Sequence, residues 1–312
     1  MIRRNIEDSI RAAMADTPVV LINGARQTGK TTLAQMMAAG FGAQYFTLDD
    51  AATLAPSKPP SARADIAARL TRGGYPEATQ RRADGRRTAW FASYISTILQ
   101  RDVRDLARVD GLHALPNLLK LLAARASGLL NLADVGRDAG LPHTTLTRYL
   151  ALLETVFLVH RLPAWSRNLG QRLVKAPKLH LVDTGLACHL LGADARRLAA
   201  DRPLLGRLLE SVVVGELRKQ VSWTDPQTAL RHLRTAAGSE VDVVLEKPDG
   251  SIVAIEVKGS ATVAASDFAA LKALRDQLGQ QFRAGVVFYL GDQMVPFGDK
   301  LWLVPVPALW AP

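Results

Sequence analysis

Gly24-Ala25-Arg26-Gln27-Thr28-Gly29-Lys30-Thr31 fits the pattern G-x-x-x-x-G-K-[ST]. An apolar run, Pro18 to Asn23, precedes it and a helix-forming run, Thr31 to Ala38, follows it. That strand–loop–helix setting separates a phosphate-binding loop from a chance glycine turn. Glycines at both ends let backbone amides curl around phosphate oxygens, and the helix N-terminus adds positive potential there. Lys30 is expected to reach the β- and γ-phosphates of a nucleoside triphosphate, and Thr31 to ligate Mg²⁺. The candidate nucleotide-binding residues are therefore Gly24, Ala25, Arg26, Gln27, Thr28, Gly29, Lys30, Thr31 and Thr32, with ATP and Mg²⁺ as the ligands.

Hydrolysis demands more than this loop. A second apolar strand ending in acids normally holds Mg²⁺ and polarises water, and a further strand supplies a polar sensor. The nearby apolar stretch with acids at its end is Tyr45-Phe-Thr-Leu-Asp49-Asp50, which reads as an ordinary second strand with an acidic surface pair. Pro56-Ser-Lys-Pro-Pro60 then interrupts the chain as a linker.

The rest of the 312 residues has an ordinary globular balance, 48% hydrophobic and 22% charged, with room for two or three domains. The net charge of +10 favours a polyanionic partner, nucleic acid before membrane. No apolar run approaches the roughly 20 residues needed to span a bilayer. Arg3 and Arg4 are not followed by the apolar segment of a signal peptide, and the lone Cys188 fits a reducing cytoplasm.

Ile2, Ile6, Ile10 and Met14 recur at helical spacing before the loop. After the linker the pattern is helical from about 62 to 126, broken at Gly73-Gly74-Tyr75-Pro76. Leu132 to Leu150 reads as helix, turn, helix, with Gly140-Leu141-Pro142 as the break. Leu146, Leu150 and Leu153 face a core, which leaves His143, Thr144, Thr145, Thr147 and Arg148 to face outward. Short polar and basic side chains at the start of a second helix suit phosphates and base edges of double-stranded DNA. Phe157 to Leu162 would be the strand of a winged variant. Arg161 to Lys178 holds five basic residues and no acid, which suits a phosphate-binding wing. A unit that only packs domains together fits the same pattern.

The C-terminal third reads as α+β, with strands near 241–247, 252–258, 284–290 and 301–306. Pro248-Asp-Gly250 is a three-residue turn, so Lys247 faces Ser251, Asp242 faces Glu256 and Glu240 faces Lys258. All four charged groups then share one face of a hairpin, and like charges opposite one another need a cation between them. Asp242, Glu256 and Lys258, with Glu210 from the helix upstream, form a candidate set for metal-assisted phosphodiester hydrolysis, Asp242 and Glu256 being the metal ligands. The order helix acid, strand Asp, Glu-x-Lys resembles the PD-(D/E)xK nuclease fold.

Several further stretches complete a resemblance over nearly the whole chain: Leu48-Asp49-Asp50, Arg72-Gly-Gly-Tyr-Pro-Glu77, Tyr94 to Asp105, Asn168-Leu-Gly-Gln-Arg-Leu-Val-Lys175, Lys178 to Leu186, Gly238-Ser-Glu-Val-Asp242 and Ile255-Glu-Val-Lys258. Together with Gly24 to Leu33 they resemble prokaryotic AAA-type ATP-binding proteins that carry a C-terminal domain of unknown function. Members of that family have roughly a hundred more residues between the second strand and Gly-Gly-Tyr-Pro, enough for most of a small domain. Here Gly73 lies only 23 positions after Asp50, so the metal and sensor strands are missing. The resemblance thus implies a shortened member that binds ATP and hydrolyses it poorly.

The expected architecture is an α/β P-loop remnant (1–56), a helical region with a winged helix-turn-helix (62–192), and a C-terminal α+β PD-(D/E)xK-like domain (193–312). Three functions compete: an ATP-binding, DNA-associated protein, a Mg²⁺-dependent nuclease with a remnant P-loop, and an inert interaction module. The oligomeric state is left open.

Overall fold

A computed structural model describes residues 6–16, 28–40, 63–103, 112–168, 170, 175–235 and 238–310. The expected strands at 18–23 and 44–48, Asp49 and Asp50, the linker at 56–60 and Gly24 to Gln27 lie outside them. Two N-terminal helices, α1 (Glu7–Asp16) and α2 (Lys30–Gly40), pack through Ile10, Leu33 and Met37.

Helix α3 (Arg63–Arg72) ends at the Gly-Gly-Tyr-Pro signature, and α4 (Pro76–Gln80) restarts with proline in its first turn. Helix α5 (Asp84–Thr97) follows, extended by a π-type turn, Ile98–Asp102. Tyr75 packs among Trp90, Phe91 and Tyr94, and its hydroxyl accepts a hydrogen bond from that of Tyr94 at 3.1 Å.

The next unit holds three helices and two strands. Helix α6 (Leu115–Ala124) precedes α7 (Leu132–Ala139), whose first turn is capped by the Asn131 side chain accepting from Ala133 N and Asp134 N. Helix α8 (His143–Thr155) buries Leu146, Tyr149, Leu150 and Leu153, one face at helical spacing. Strands β1 (Val159–Leu162) and β2 (Lys178–Leu181) pair antiparallel, and Leu129 bridges to Lys178 at the far edge.

Helices α9 (Thr184–Leu191), α10 (Ala195–Ala200) and α11 (Arg202–Thr224) lead into a six-stranded sheet. Its strands are β3 (Ala229–Arg234), β4 (Glu240–Glu246), β5 (Ile252–Val257), β6 (Phe282–Tyr289), β7 (Val295–Pro296) and β8 (Leu301–Pro305), in the order β3-β4-β5-β6-β8-β7. β5, β6 and β8 run parallel, with α12 (Ala269–Leu278) in the β5–β6 connection. Helix α11 buries Leu204, Leu205, Leu208, Leu209, Val213, Val214 and Leu217. Each such side chain contributes about 1.5–3 kcal/mol on leaving water.

Strand β3 is absent from the sequence reading. Ala229-Leu-Arg-His-Leu-Arg234 has no β-branched residue, and pairing with β4 decides its conformation. One apolar cluster runs from Ile66 to Leu309, so the regions divided at 192/193 share a core.

One backbone contact fastens the helical unit to the sheet, and another ties its first helices to α9. Trp165 N donates to His232 O at 2.6 Å and His232 N to Pro163 O at 2.9 Å, so 163–165 runs along β3 as an extra edge. Gly73 lies against Asp183, the N-cap of α9, whose carboxylate accepts from Gly74 N at 2.6 Å and Leu186 N at 2.8 Å. With φ +71, Gly73 occupies a backbone region that disfavours side chains, and a Cβ there would lie 2.7 Å from Asp183 Oδ2. The signature is thus read structurally: it lets α3 and α9 meet backbone to backbone.

Candidate functional site

Strands β4 and β5 pair with Val243 opposite Ile255 and Glu246 opposite Ile252. Lys247 N donates to Ser251 O at 2.9 Å across the turn. Continued outward, this register sets Asp242 across from Glu256. The expected partnership of Glu240 with Lys258 does not form. Lys258 Nζ instead pairs with Glu256 at 2.9 Å and with Asp267, from the segment before α12, at 3.6 Å.

The carboxylates converge on a residue that the sequence reading places in the basic wing. Lys178, the first residue of β2, is 1% exposed. Its ammonium lies 2.7 Å from Glu210 Oε1, 2.6 Å from Glu240 Oε1 and 2.9 Å from Asp242 Oδ1. Glu210 reaches it from α11, while Glu240 and Asp242 reach it from alternate positions of β4. Asp242 Oδ2 also accepts from Val257 N at 2.9 Å, and Arg234 flanks Glu240 at 3.5 Å.

Burial alone would push the Lys178 pKa down, but Asp242 and Glu210 beside it more than offset that and raise it. Burial, then the charge of Asp242, lifts Glu210 well above the usual carboxylate range. Burial and Asp242 lift Glu256 to about 7. One ammonium among three carboxylates is balanced best when a carboxyl keeps its proton, and Glu210 is the group biased that way.

This arrangement answers whether a divalent cation fits. Mg²⁺ needs several oxygens at about 2.0–2.1 Å. Asp242, Glu240 and Glu210 already point their oxygens at Lys178 Nζ. A dication about 4 Å from that ammonium would be opposed by about 8 kcal/mol at an effective dielectric of 20. Among the described residues no group of three or more His, Cys, Asp or Glu side chains is placed to hold a metal ion. Of the two expected metal ligands, Asp242 is held by Lys178, whereas Glu256 is held by Lys258 and its Oε2 is buried without a hydrogen-bond partner among the described residues. A lone lysine opening the apolar run Lys178-Leu-His-Leu-Val-Asp183 was the available signal.

Lys178 is also removed from the expected basic wing. Of the other wing residues, Arg161 pairs with Glu154 (Nε to Oε1, 2.7 Å) and Lys175 Nζ lies 3.5 Å from Arg234 O. Arg172 lies outside the described residues. On α8, His143, Thr144, Thr147 and Arg148 are exposed and Thr145 is half-buried. Thr147 Oγ1 donates to His143 O at 2.9 Å.

At the other candidate site the described residues begin at Thr28. Gly29 has φ +78, and α2 starts directly at Lys30. The first helical hydrogen bond runs from Leu33 N to Gly29 O at 3.0 Å, so the amides of Thr31 and Thr32 point past the helix end.

Comparison with known proteins divides the chain in two. Residues 63–197 match the family model of a domain of unknown function (DUF8612), and residues 205–309 match that of another (DUF4143). The second is found in proteins associated with AAA-type ATPases. Over 235 residues, 75% of the chain, the sequence is 29% identical to an uncharacterized protein of Mycobacterium bovis and, to the same extent, to one of Mycobacterium tuberculosis. The chain spans about half, 51%, of the length of these curated relatives. No solved structure matches it. Among the described residues no helix is long and apolar enough to cross a membrane.

Proposed function

We propose that this protein binds ATP through Gly24 to Thr32 and acts as a DNA-associated member of the AAA-type ATP-binding proteins, with little or no hydrolysis. The observation that carries the reading is Gly29 in the left-handed region immediately before a helix that begins at Lys30. A glycine there turns the chain so that helix amides and the helix dipole meet a phosphate. Lys30 would hold the β- and γ-phosphates, and Thr31 would hold the Mg²⁺ that accompanies ATP and neutralises its charge. The C-terminal match to a domain found in AAA-ATPase-associated proteins supports the same reading.

Titration of the full chain with a fluorescent ATP analogue and Mg²⁺ tests this. Saturable binding is expected, and Lys30→Ala should weaken it beyond detection. No saturable binding at millimolar nucleotide would refute the reading. Phosphate release should stay at background, and Mg²⁺-dependent turnover lost in Asp50→Asn would instead make Asp49 and Asp50 a metal strand.

For the DNA association, α7, the turn at 140–142 and α8 form a helix-turn-helix, with β1 and β2 in the place of a wing. Exposed His143, Thr144, Thr147 and Arg148 favour contact through α8. Duplex binding should fall with rising salt, and Arg148→Ala should weaken it and reduce the salt slope by about 1. Binding unaltered by Arg148→Ala would move the contact elsewhere.

A further inference from the structure

The cluster around Lys178 contradicts the metal chemistry that its own pattern of residues calls for, and that contradiction carries a conclusion. We infer that Lys178 is the permanent cation of this cluster, standing where a PD-(D/E)xK-type site would hold a divalent metal. Glu210, Glu240 and Asp242 therefore fasten the helix-turn-helix unit to the C-terminal sheet instead of activating water.

Three observations carry this. First, the ammonium is sealed from solvent and makes 2.6–2.9 Å contacts with three different carboxylates, so one oxygen of each already faces a cation. Second, the lysine of the Glu-x-Lys pair, Lys258, is held by its own Glu256 at 2.9 Å and by Asp267 at 3.6 Å. Third, Lys178 belongs to β2, whose partner strand β1 leads directly into residues 163–165 on the edge of β3. The charged contact and the backbone contact thus join the same two units from opposite ends of one connection. His232, at the centre of that edge, also donates from Nε2 to Ala176 O, two residues before Lys178, at 3.1 Å.

Removing the ammonium leaves three carboxylates facing one another, whereas removing both signs of charge leaves a neutral, hydrogen-bonding pocket. The distinguishing variants are Lys178→Met, and Lys178→Met combined with Glu210→Gln, Glu240→Gln and Asp242→Asn. Their melting is read together with Mn²⁺ binding to the full chain, measured by electron paramagnetic resonance without nucleotide. The wild type is expected to show no saturable Mn²⁺ binding at millimolar metal and no change in melting temperature with EDTA or Mn²⁺. Lys178→Met should melt far below the wild type or fail to fold. The fourfold neutral variant should recover most of the loss, and it remains informative if the single variant does not fold. Saturable wild-type Mn²⁺ binding abolished by Asp242→Asn would overturn the inference. So would a neutral variant no more stable than Lys178→Met, since Lys178 would then not be acting as a countercharge. Neither outcome bears on nucleotide binding, because no P-loop residue is altered.

Discussion

Gly185→Ala is expected to destabilise the protein by about 3 kcal/mol or more, lowering Tm by roughly 6 °C. A Cβ on Gly185 would lie 2.8 Å from Gly73 N, 2.8 Å from Phe91 Cζ and 2.9 Å from Arg72 C. Two of those atoms are backbone at the end of α3, where Asp183 holds Gly74 N, and the third is the ring of buried Phe91. No flexible side chain can swing aside to relieve the overlap. Relief requires α9 to move off α3, which breaks the Asp183 contact as well. Gly206→Ala is the internal control, because a Cβ there meets nothing within 4 Å. Inside α11, in its second turn, it should raise stability by about 0.5–1 kcal/mol. Thermal melts of both variants check this, and a Gly185→Ala protein as stable as the wild type would show that the α3–α9 approach can relax.

Acid should unfold the protein through three buried histidines. Burial, and then the charge of Arg218, pull His160 down to about 3. Burial, and then Lys178, pull His232 to about 4, and burial with His160 beside it pulls His180 well below the ordinary value. His160 and His180 stack across the β1–β2 pair with ring centroids 5.3 Å apart, and neither ring nitrogen of His160 has a hydrogen-bond partner. In the unfolded chain each imidazole takes a proton at about 6.5. As pH falls below that value the unfolded state binds protons first, so stability present above pH 6.5 is lost until the native imidazoles titrate, about 4 for His232 and about 3 for His160. Glu256 acts with the opposite sign. Its native pKa of about 7 exceeds the ordinary 4.5, so the native state gains stability as pH falls from 7 to 4.5. The two effects oppose over that range, but three histidines outweigh one carboxyl. Net stability should therefore fall as pH drops below 6.5 and continue to fall below 4.5, where Glu256 no longer contributes.

His160→Phe isolates one contribution, because phenylalanine keeps an aromatic ring and removes both unpartnered nitrogens. Its stability advantage over the wild type should widen by about 3 kcal/mol between pH 7 and pH 4.5, two pH units below the unfolded pKa at about 1.4 kcal/mol each. An advantage that stays constant across that range would remove His160 from the acid transition.

What the sequence alone determined was local. The turn Pro248 to Gly250 set the β4–β5 register, because a three-residue loop and a period of two leave one pairing. The spacing of Leu146, Leu150 and Leu153 set which face of α8 is buried, and the glycine before Lys30 set where α2 begins. Each of these depends on neighbours within a few residues. The tertiary structure alone decided what the charged face of the hairpin does. Lys178 meets Glu210, Glu240 and Asp242 across 32, 62 and 64 positions of chain, and no periodicity spans such intervals. The same holds for β3, whose Leu-Arg-His-Leu core is strand only because β4 and residues 163–165 hydrogen-bond to it. The hairpin pattern called for a cation beside its carboxylates, and folding brings one to Glu240 and Asp242 from the chain itself, the ammonium carried on β2.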